Sequence, residues 1–301
     1  MDIGRKIKTI RNEKLMTQNE LASEVITRNM LSQIENGNAL PSLSTVFYLA
    51  KKLGVPAGYL LSEGEEDFVY NKSKMMKNIK KAYIDKNFEL CRQMCISSFE
   101  EYDDEMELIL TDCCIGEAEM LIRNGKLYHA REILDEAIGH AQRTIYSTDA
   151  QKNRAYIMFH LLKNISPTLD SNEVDTDLTS KFLNPELFED VFCKYIAILF
   201  CPNSTKSFIN DTFKKTEGIS EHDNLFITHI DARRKISLGE YKNASNILRE
   251  IMDGNVIPER LLLYFCCEDM EKCCKETEDY KGAYEFSNNK MEILEHMLAE
   301  V

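Results

Sequence analysis

One predicted helix carries the kinds of side chain that read base edges in DNA. The segment 28–35 has the sequence RNMLSQIE, in which Leu31 and Ile34 would form an apolar inner side. The opposite side carries four hydrogen-bonding residues: Arg28, Asn29, Ser32 and Gln33. Such groups can pair with base edges in the major groove of double-stranded DNA. The pattern predicts a DNA-reading helix, and the alternative is an ordinary solvated helix of a small bundle.

A shorter helix is predicted just before this one, across a tight corner at 25–27. Thr17 is a hydroxyl N-cap and Glu20 follows three residues later, which is the spacing of a capping box. Leu21, Ala22 and Val25 are predicted to lie on one apolar stripe of the shorter helix. Two short helices around a tight corner are typical of a helix-turn-helix motif.

From Ile3 to Leu61 the chain resembles the helix-turn-helix domain of phage repressors and Xre-type regulators. The shared segments, in chain order, are IGRKIKTIRNEK, TQNELA, LSQIENG, PSL and VFYLAKKLGV. Several spaced matches in order are far more specific than any single one. The corner is one residue shorter than the usual family form and lacks its glycine.

This resemblance implies a set of DNA contacts. Six residues of the two short helices and the corner are expected to contact the DNA directly: Gln18, Thr27, Arg28, Asn29, Ser32 and Gln33. Three more are expected near phosphates: Asn36, Asn38 and Thr45. The resemblance also implies that Arg11 and Glu35 form an ion pair between helices, so Glu35 is interpreted as structural.

The net charge of −13 is unevenly distributed along the chain. Residues 1–61 hold eight Lys and Arg against five Asp and Glu, whereas residues 62–301 hold 29 against 45. The positive excess therefore accompanies the predicted DNA-reading helix, and the acidic remainder would be repelled by phosphates. This division predicts two domains with separate tasks.

Three further helices complete the predicted N-terminal domain. The first has an apolar stripe at Ile3, Ile7 and Ile10, surrounded by the basic residues Arg5, Lys6, Lys8 and Arg11. The fourth has its stripe at Leu43, Val46, Leu49, Ala50 and Leu53, and a last short one ends at Leu61. The segment that follows, SEGEED, has no apolar residue and is predicted to be a linker.

The remainder of the chain contains a spaced triplet. A small or polar residue is followed two positions later by an aromatic residue or leucine, and three positions after that by a small residue. The copies are Lys86-Phe88-Cys91, Gly125-Leu127-Ala130, Gly239-Tyr241-Ala244 and Glu278-Tyr280-Ala283. The middle residues of the first and second copies lie 39 residues apart, and so do those of the third and fourth copies. The middle residues of the second and third copies lie 114 residues apart. Two degenerate copies fit this gap, with turns predicted near 164–172 and 202–204.

These units resemble tetratricopeptide repeats, whose period is roughly 34 residues. Together with the five helices predicted for the N-terminal domain, this resemblance implies an all-α protein. The N-terminal domain would be followed by an α-solenoid of stacked helix pairs. The predicted domains are 1–61 for the helix-turn-helix, 62–71 for the linker and 72–301 for a repeat domain with sensing and dimerising roles.

The first helix of each repeat would line a concave groove. Projecting the repeat onto this chain places six candidate peptide-binding residues there: Glu119, Arg154, Phe226, His229, Arg233 and Glu268. A lining of charges and an aromatic ring suits a short extended peptide. The alternative for each residue is a solvated helix surface.

Other chemistry finds little support in the residue pattern. Three pairs of cysteines are adjacent, and Cys91 and Cys95 lie one helical turn apart, so packing is favoured over the spaced knuckles of a zinc site. No metal and no cofactor are predicted. The histidines form no metal motif, and neither a phosphate loop nor a nucleophile elbow is present, so no enzyme is predicted.

The N-terminus is charged, and the chain has no apolar run that could cross a membrane, so a cytoplasmic protein with reduced cysteines is predicted. A DNA-reading head before tetratricopeptide-like helices resembles the Rgg- and PlcR-type pheromone-sensing regulators of Gram-positive bacteria. The resemblance implies a homodimeric transcription regulator that binds a palindromic operator and a short signalling peptide. Two alternatives stay open: repeats used only for dimerisation or partner docking, and a sensor that responds to thiols or metals.

Overall fold

The computed structural model describes residues 2–22, 24–62, 68–99, 101–170, 183–200 and 219–299. The backbone separates into two compact units, Met1–Lys81 and Ala82–Val301, each with its own apolar core. Every regular element within the described ranges is helical. The predicted all-α class is therefore confirmed.

Residues 2–62 of the first unit, called the head below, contain five helices, as predicted. They are α1 (Ile3–Glu13), α2 (Gln18–Leu21), α3 (Arg28–Glu35), α4 (Leu43–Leu53) and α5 (Ala57–Leu61). Six apolar side chains in the described part of the head are fully buried: Ile7, Leu21, Leu31, Leu49, Leu53 and Leu60. Gly54 ends α4 in the left-handed conformation (φ 64°), which glycine adopts without steric cost.

Helix α2 is shorter than predicted, and this changes which residue fills the core. The helix ends at Leu21, and Ala22 already has extended backbone angles (φ −70°, ψ 158°). Helical spacing therefore does not continue to Val25, whose side chain is 54% exposed. Ile26 enters the core of the head instead. The predicted stripe is wrong beyond Leu21 because the helix that would align it does not extend that far.

The apolar stripe predicted on α4 is correct from Val46 onward and wrong at Leu43. Leu43 is the first residue of the helix, directly after the Ser42 cap, and its side chain is exposed. The later stripe residues are buried because α4 packs on α1 and α2 along its remaining length.

Helix α6 (Phe68–Ile84) begins inside the segment predicted as a linker. Residues 68–71 are therefore helical, which corrects the end of the predicted 62–71 linker. Residues 63–67 lie outside the described part of the chain. The Tyr70 ring stacks on Tyr59 of α5 with centroids 3.7 Å apart, and Lys74 Nζ lies 3.0 Å from Glu13 Oε2 of α1. The start of α6 is thus docked onto the head.

The described part of the second unit is a succession of helices. Its helices in the described ranges are α7 (Phe88–Ser98), α8 (Asp104–Arg123), α9 (Leu127–Arg143), α10 (Asp149–Ile165), α11 (Val191–Phe200), α12 (Glu221–Ser237), α13 (Tyr241–Met252), α14 (Arg260–Glu276) and α15 (Tyr280–Ala299). Short 3₁₀ turns lie at Pro167–Leu169 and Pro185–Leu187. Consecutive helices pack as hairpins, most extensively α8 with α9 and α14 with α15.

Each of the four sequence triplets marks a turn between two consecutive helices, and the last three triplets join helices that pack as hairpins. The first residue of every triplet has a positive φ: 55° at Lys86, 83° at Gly125, 75° at Gly239 and 61° at Glu278. The middle residue then begins the second helix, and the third residue is buried. The predicted turns are confirmed at all four places, and the packing of the two helices is confirmed at the last three. The turn predicted near 164–172 coincides with the end of α10 at Ile165, and 202–204 lie outside the described residues.

We expect Glu278→Gly to stabilise the second unit. Glu278 occupies a left-handed turn position that costs a non-glycine residue about 1 kcal/mol, a strain that glycine lacks. Urea unfolding of the full-length chain should therefore give a higher free energy of unfolding for the variant. Glu278→Ala is the control, since it removes the carboxylate and keeps the Cβ atom. An equal gain from Glu278→Ala would contradict the backbone explanation.

Candidate functional site

Helix α3 presents the predicted reading residues on its outer side. Thr27 precedes the helix in extended conformation, and its hydroxyl accepts a hydrogen bond from the Met30 amide at 3.2 Å. Leu31 and Ile34 are buried in the head, as predicted. The side chains of Arg28, Asn29 and Gln33 are exposed, and Ser32 is half-buried beside them.

A buried carboxylate fixes α3 against the two preceding helices. Arg11 Nε and Nη2 donate to Glu35 Oε1 and Oε2 at 2.7 and 2.9 Å, which confirms the predicted ion pair. Gln18 Nε2 donates to Glu35 Oε2 at 2.8 Å. Burial on its own raises the pKa of Glu35, but these hydrogen bonds and the Arg11 charge outweigh it, so the pKa lies below its ordinary value. Glu35 thereby joins α1, α2 and α3.

The remaining predicted DNA contacts lie on α2, in the segments that flank α3 and on α4, and three of them make side-chain hydrogen bonds within the head. One carboxamide N–H of Gln18 is bound to Glu35, and the Thr27 hydroxyl caps α3. Asn36 and Asn38 are exposed in the turn after α3, where the Asn38 amide donates to the Gln33 carbonyl. Thr45 is half-buried, with its hydroxyl 2.9 Å from that of Ser42. All nine residues remain predictions as DNA contacts.

Lys6 is a structural residue of the head that was predicted to lie on the surface. Its side chain is buried, and Nζ donates to the carbonyls of Tyr59 and Ser62 at 2.8 and 2.9 Å and to the Ser62 hydroxyl at 2.6 Å. Nζ also lies 4.5 Å from the centroid of the Tyr59 ring. Lys6 falls three residues after Ile3, on the apolar side of α1. The spacing from Ile3 indicated a buried position for Lys6, whereas the charge of its side chain favoured a surface position.

In the second unit, Glu119 and Arg154 belong to one ion-pair cluster. Arg154 Nη2 of α10 lies 3.1 Å from Glu119 Oε2 of α8, and Arg123 Nη2 lies 2.7 Å from the other carboxylate oxygen. Arg123 also contacts Asp223 at 2.8 Å and Glu259 at 3.5 Å. Its guanidinium carbon lies 4.7 and 5.0 Å from two ring centroids, those of Phe192 and Phe226.

The cluster holds more carboxylates than guanidinium groups, since Asp190 also lies 3.4 Å from Arg154. Burial raises the pKa values of Glu119 and Glu259, and the charge of Arg123 only partly opposes this. The sequence analysis did not select Arg123 as a site residue, because a charged residue at the end of a helix gives no signal of such a cluster.

Arg233 and Glu268 belong to a second cluster, centred on a buried aspartate. Arg233 Nε lies 2.7 Å from Asp269 Oδ2, and Arg233 Nη2 lies 3.0 Å from Glu268 Oε2. His229 Nε2 lies 3.1 Å from Asp269 Oδ2, and His229 Nδ1 lies 3.0 Å from the Tyr195 hydroxyl. Burial lowers the pKa of His229, which favours a neutral ring with Nε2–H toward the carboxylate.

The groove placement predicted for Phe226 and His229 is wrong, because both side chains are fully buried. A helix packed between neighbours buries more of its circumference than the repeat projection assumed. Phe226 instead contacts the rings of Phe192 and Tyr195 and supports Arg123. The structure brings the other four candidates together in two pairs, and these side chains stay partly exposed.

Two negative findings apply to the described ranges alone. No group of three or more His, Cys, Asp or Glu side chains there is placed to hold a metal ion. No described helix combines the length and the apolar character needed to cross a membrane.

The geometry of the head agrees with a family comparison. Residues 7–60 match the Helix-turn-helix family. They form a helix-turn-helix domain. The Immunity repressor protein of Bacillus phage phi105 is 38% identical to the chain over 86 residues, which cover 27% of this chain and 59% of the phage protein. The match thus spans a little under three fifths of that relative.

Alignments with three solved structures cover most of this chain and extend beyond the helix-turn-helix domain. PlcR of Bacillus thuringiensis in complex with the peptide PapR7 and DNA is 17% identical, with 99% of this chain and 96% of that chain covered and a TM-score of 0.27. The apo competence regulator ComR of Streptococcus vestibularis is 19% identical, with 90% and 97% covered and a TM-score of 0.30. The pheromone receptor Rgg2 of Streptococcus dysgalactiae is 14% identical, with 99% and 100% covered and a TM-score of 0.26.

Glu35→Ala should loosen the helix-turn-helix domain selectively. The side chains of Glu35 and Arg11 are 1% and 11% exposed, so the variant leaves a largely buried guanidinium unpaired, at a cost of about 3–5 kcal/mol. Amide hydrogen exchange of the full-length chain should speed up in α1, α2 and α3 and stay unchanged in α12–α15. Glu24→Ala, which removes an exposed carboxylate, is the control and should leave exchange unaltered. Similar exchange in both variants would rule out the structural role of Glu35.

The same ion pair should respond to acid. Because the pKa of Glu35 is lowered in the folded chain, its contribution is present at neutral pH and is lost as pH falls below the ordinary value of 4.5. Exchange in α1–α3 of the native chain should then approach that of the Glu35→Ala variant.

Proposed function

We propose that this protein is a sequence-specific DNA-binding transcription regulator that acts in the cytoplasm as a homodimer. The observation that carries the proposal is the outer side of α3, where Arg28, Asn29 and Gln33 are exposed together. Their donors and acceptors match the base edges of the major groove. Glu35, the only carboxylate of α3, faces inward and is neutralised by Arg11. No exposed acid of α3 would therefore oppose the phosphates.

The DNA proposal predicts that base discrimination depends on single side chains of α3. Arg28→Ala and Gln33→Ala should each reduce the preference for a selected duplex over random duplex by about 1–3 kcal/mol. The duplex is selected from a random library with the full-length native chain, and affinities are measured by fluorescence anisotropy at one salt concentration. Arg5→Ala, which removes an exposed cation of α1, is the matched control and should leave the preference unchanged.

Two outcomes would count against this reading of α3. Equal losses on selected and random DNA would mean that Arg28 and Gln33 contact only phosphates. If the selected sequences contained single half-sites instead of inverted repeats spaced by about one helical turn, the homodimer would be excluded.

We further propose that the second unit binds a short peptide at the two partly exposed ion pairs, Glu119–Arg154 and Arg233–Glu268. These pairs join α8 to α10 and α12 to α14, so a ligand that competes for them would act on two helix contacts at once. To switch the regulator, the peptide must bind one arrangement of the unit more tightly than another.

A second candidate is a regulator whose repeats serve only for dimerisation or partner docking. The observation that favours it is the mutual pairing of the four charged residues, together with the burial of Phe226 and His229. In that case the charged side chains of the predicted groove form ion pairs with each other instead of with a peptide.

Calorimetry distinguishes the two candidates. The full-length chain is titrated with the peptide fraction of spent growth medium from the native cells. Glu268→Gln, which neutralises one member of the Arg233 pair, should weaken peptide binding by about tenfold, as expected for one charged hydrogen bond. Glu250→Gln on the exposed side of α13 is the control and should bind normally. Absence of binding heat with the native chain, or equal losses in both variants, would support the docking candidate.

A further inference from the structure

Three buried thiols meet where the first two helices of the second unit pack together. Cys91 and Cys95 lie one turn apart on α7, and Cys113 lies on α8. All three side chains are fully buried. The thiols of Cys95 and Cys113 both donate hydrogen bonds to the sulfur of Cys91. Cys91 is thus in contact with a thiol of its own helix and a thiol of the facing helix.

Neighbouring contacts define the register of α7 on α8. A Cβ atom on Gly116 would collide with the Phe88 ring, so the two helices approach closely at this level. Joined by a short connection, they run in opposite directions. Cys91 lies one turn after Phe88 on α7, and Cys113 lies one turn before Gly116 on α8. These two cysteines therefore face each other across the contact, and the adjacent Arg92–Glu117 ion pair at 2.7 Å holds the same register.

The electronic properties of the three thiols differ. The hydrogen bonds from Cys113 and Cys95 lower the pKa of Cys91 to about 4, because they stabilise its thiolate. The same contacts and burial raise the pKa values of Cys95 and Cys113. Burial also raises the pKa values of Cys193, Cys266 and the other described cysteines. Cys91 is also the thiol that contacts both of the others, which distinguishes it by position from Cys95 and Cys113.

We propose that Cys91 and Cys113 form an oxidation site, at which a hydroperoxide converts the two thiols into a disulfide that joins α7 to α8. The Cys91 thiolate attacks one peroxide oxygen, so an S–O bond forms, the O–O bond breaks and the second oxygen leaves as alkoxide or hydroxide. The Cys113 sulfur then attacks the sulfenic sulfur. An S–S bond forms, and the hydroxyl group leaves as water with the Cys113 proton. The peroxide receives the two electrons lost by the thiols.

The position of α7 gives the hydroperoxide a route to the buried sulfurs. In the described chain, α7 packs mainly on α8, and its opposite side exposes Leu90 and Ile96. A local opening of α7 from α8 uncovers the thiols without unfolding the rest of the unit. The adjacent cysteines of α14, Cys266 and Cys267, differ in this respect, because neighbouring side chains on a helix diverge by about 100° and cannot close a disulfide there.

Peptide mapping tests the proposal on the full-length chain. The reduced protein is treated with hydrogen peroxide, alkylated after denaturation and digested with trypsin and a glutamate-specific protease. The three cysteines then fall in separate fragments, 90–92, 93–100 and 108–117. We expect the fragments 90–92 and 108–117 to be joined, with the loss of two hydrogens, and a reductant to separate them. Cysteines of α14 should remain alkylated.

Variants identify the reacting pair. Cys113→Ala should abolish the cross-link and leave Cys91 trapped as a sulfenic acid that dimedone labels. Cys95→Ala should retain the cross-link, and it serves as a folding control with the same loss of a buried sulfur. A link between 90–92 and 93–100 in the native chain would overturn the proposal. Oxidation that occurs only in urea, or at equal rates in α14, would overturn it as well.

Discussion

The head of this protein depends on one carboxylate that has been removed from water. Burying Glu35 disfavours its charged form, and the arrangement is stable only because Arg11 and Gln18 supply three hydrogen bonds to it. Those donors come from α1 and α2, whereas Glu35 belongs to α3. The carboxylate therefore sets the orientation of the exposed side of α3. A side chain that never needs to touch DNA can in this way govern the residues proposed to do so.

The second unit uses paired charges differently. Its ion pairs lie between helices of successive hairpins, as in Arg154–Glu119 and Arg233–Asp269, and several of them are partly exposed. Such pairs contribute little net stability, but removing one partner leaves the other uncompensated. The groups that hold neighbouring helices in register are therefore also the groups with which a charged ligand would compete. This coupling is a physical basis on which binding could alter helix contacts.

Several features of the candidate site were accessible from sequence because they rest on local bonds. The Thr17–Glu20 capping box forms as the spacing predicts, and Leu31 and Ile34 turn inward on α3. Val25 was misplaced because α2 ends one turn too early to align it. Phe226 and His229 were misplaced because a repeat projection assigns one outward side to each helix. Helix α12 is covered there by α11 and α14, whose positions no local pattern specifies.

Local patterns in the sequence placed the capping box of α2 and the four turns marked by triplets, since caps and turn residues act over a few bonds. The turns at Lys86, Gly125, Gly239 and Glu278 coincide with triplets visible in the sequence, and the structure adds that all four residues have a positive φ. Which polar side chains are buried, in contrast, follows from the packing of elements that are distant in the chain. Lys6 is enclosed by carbonyls from α5, and Cys91 meets Cys113 of a facing helix. The burial of a polar side chain depends on which distant element packs against it. Its free energy is favourable only when that element also supplies the hydrogen-bonding partner.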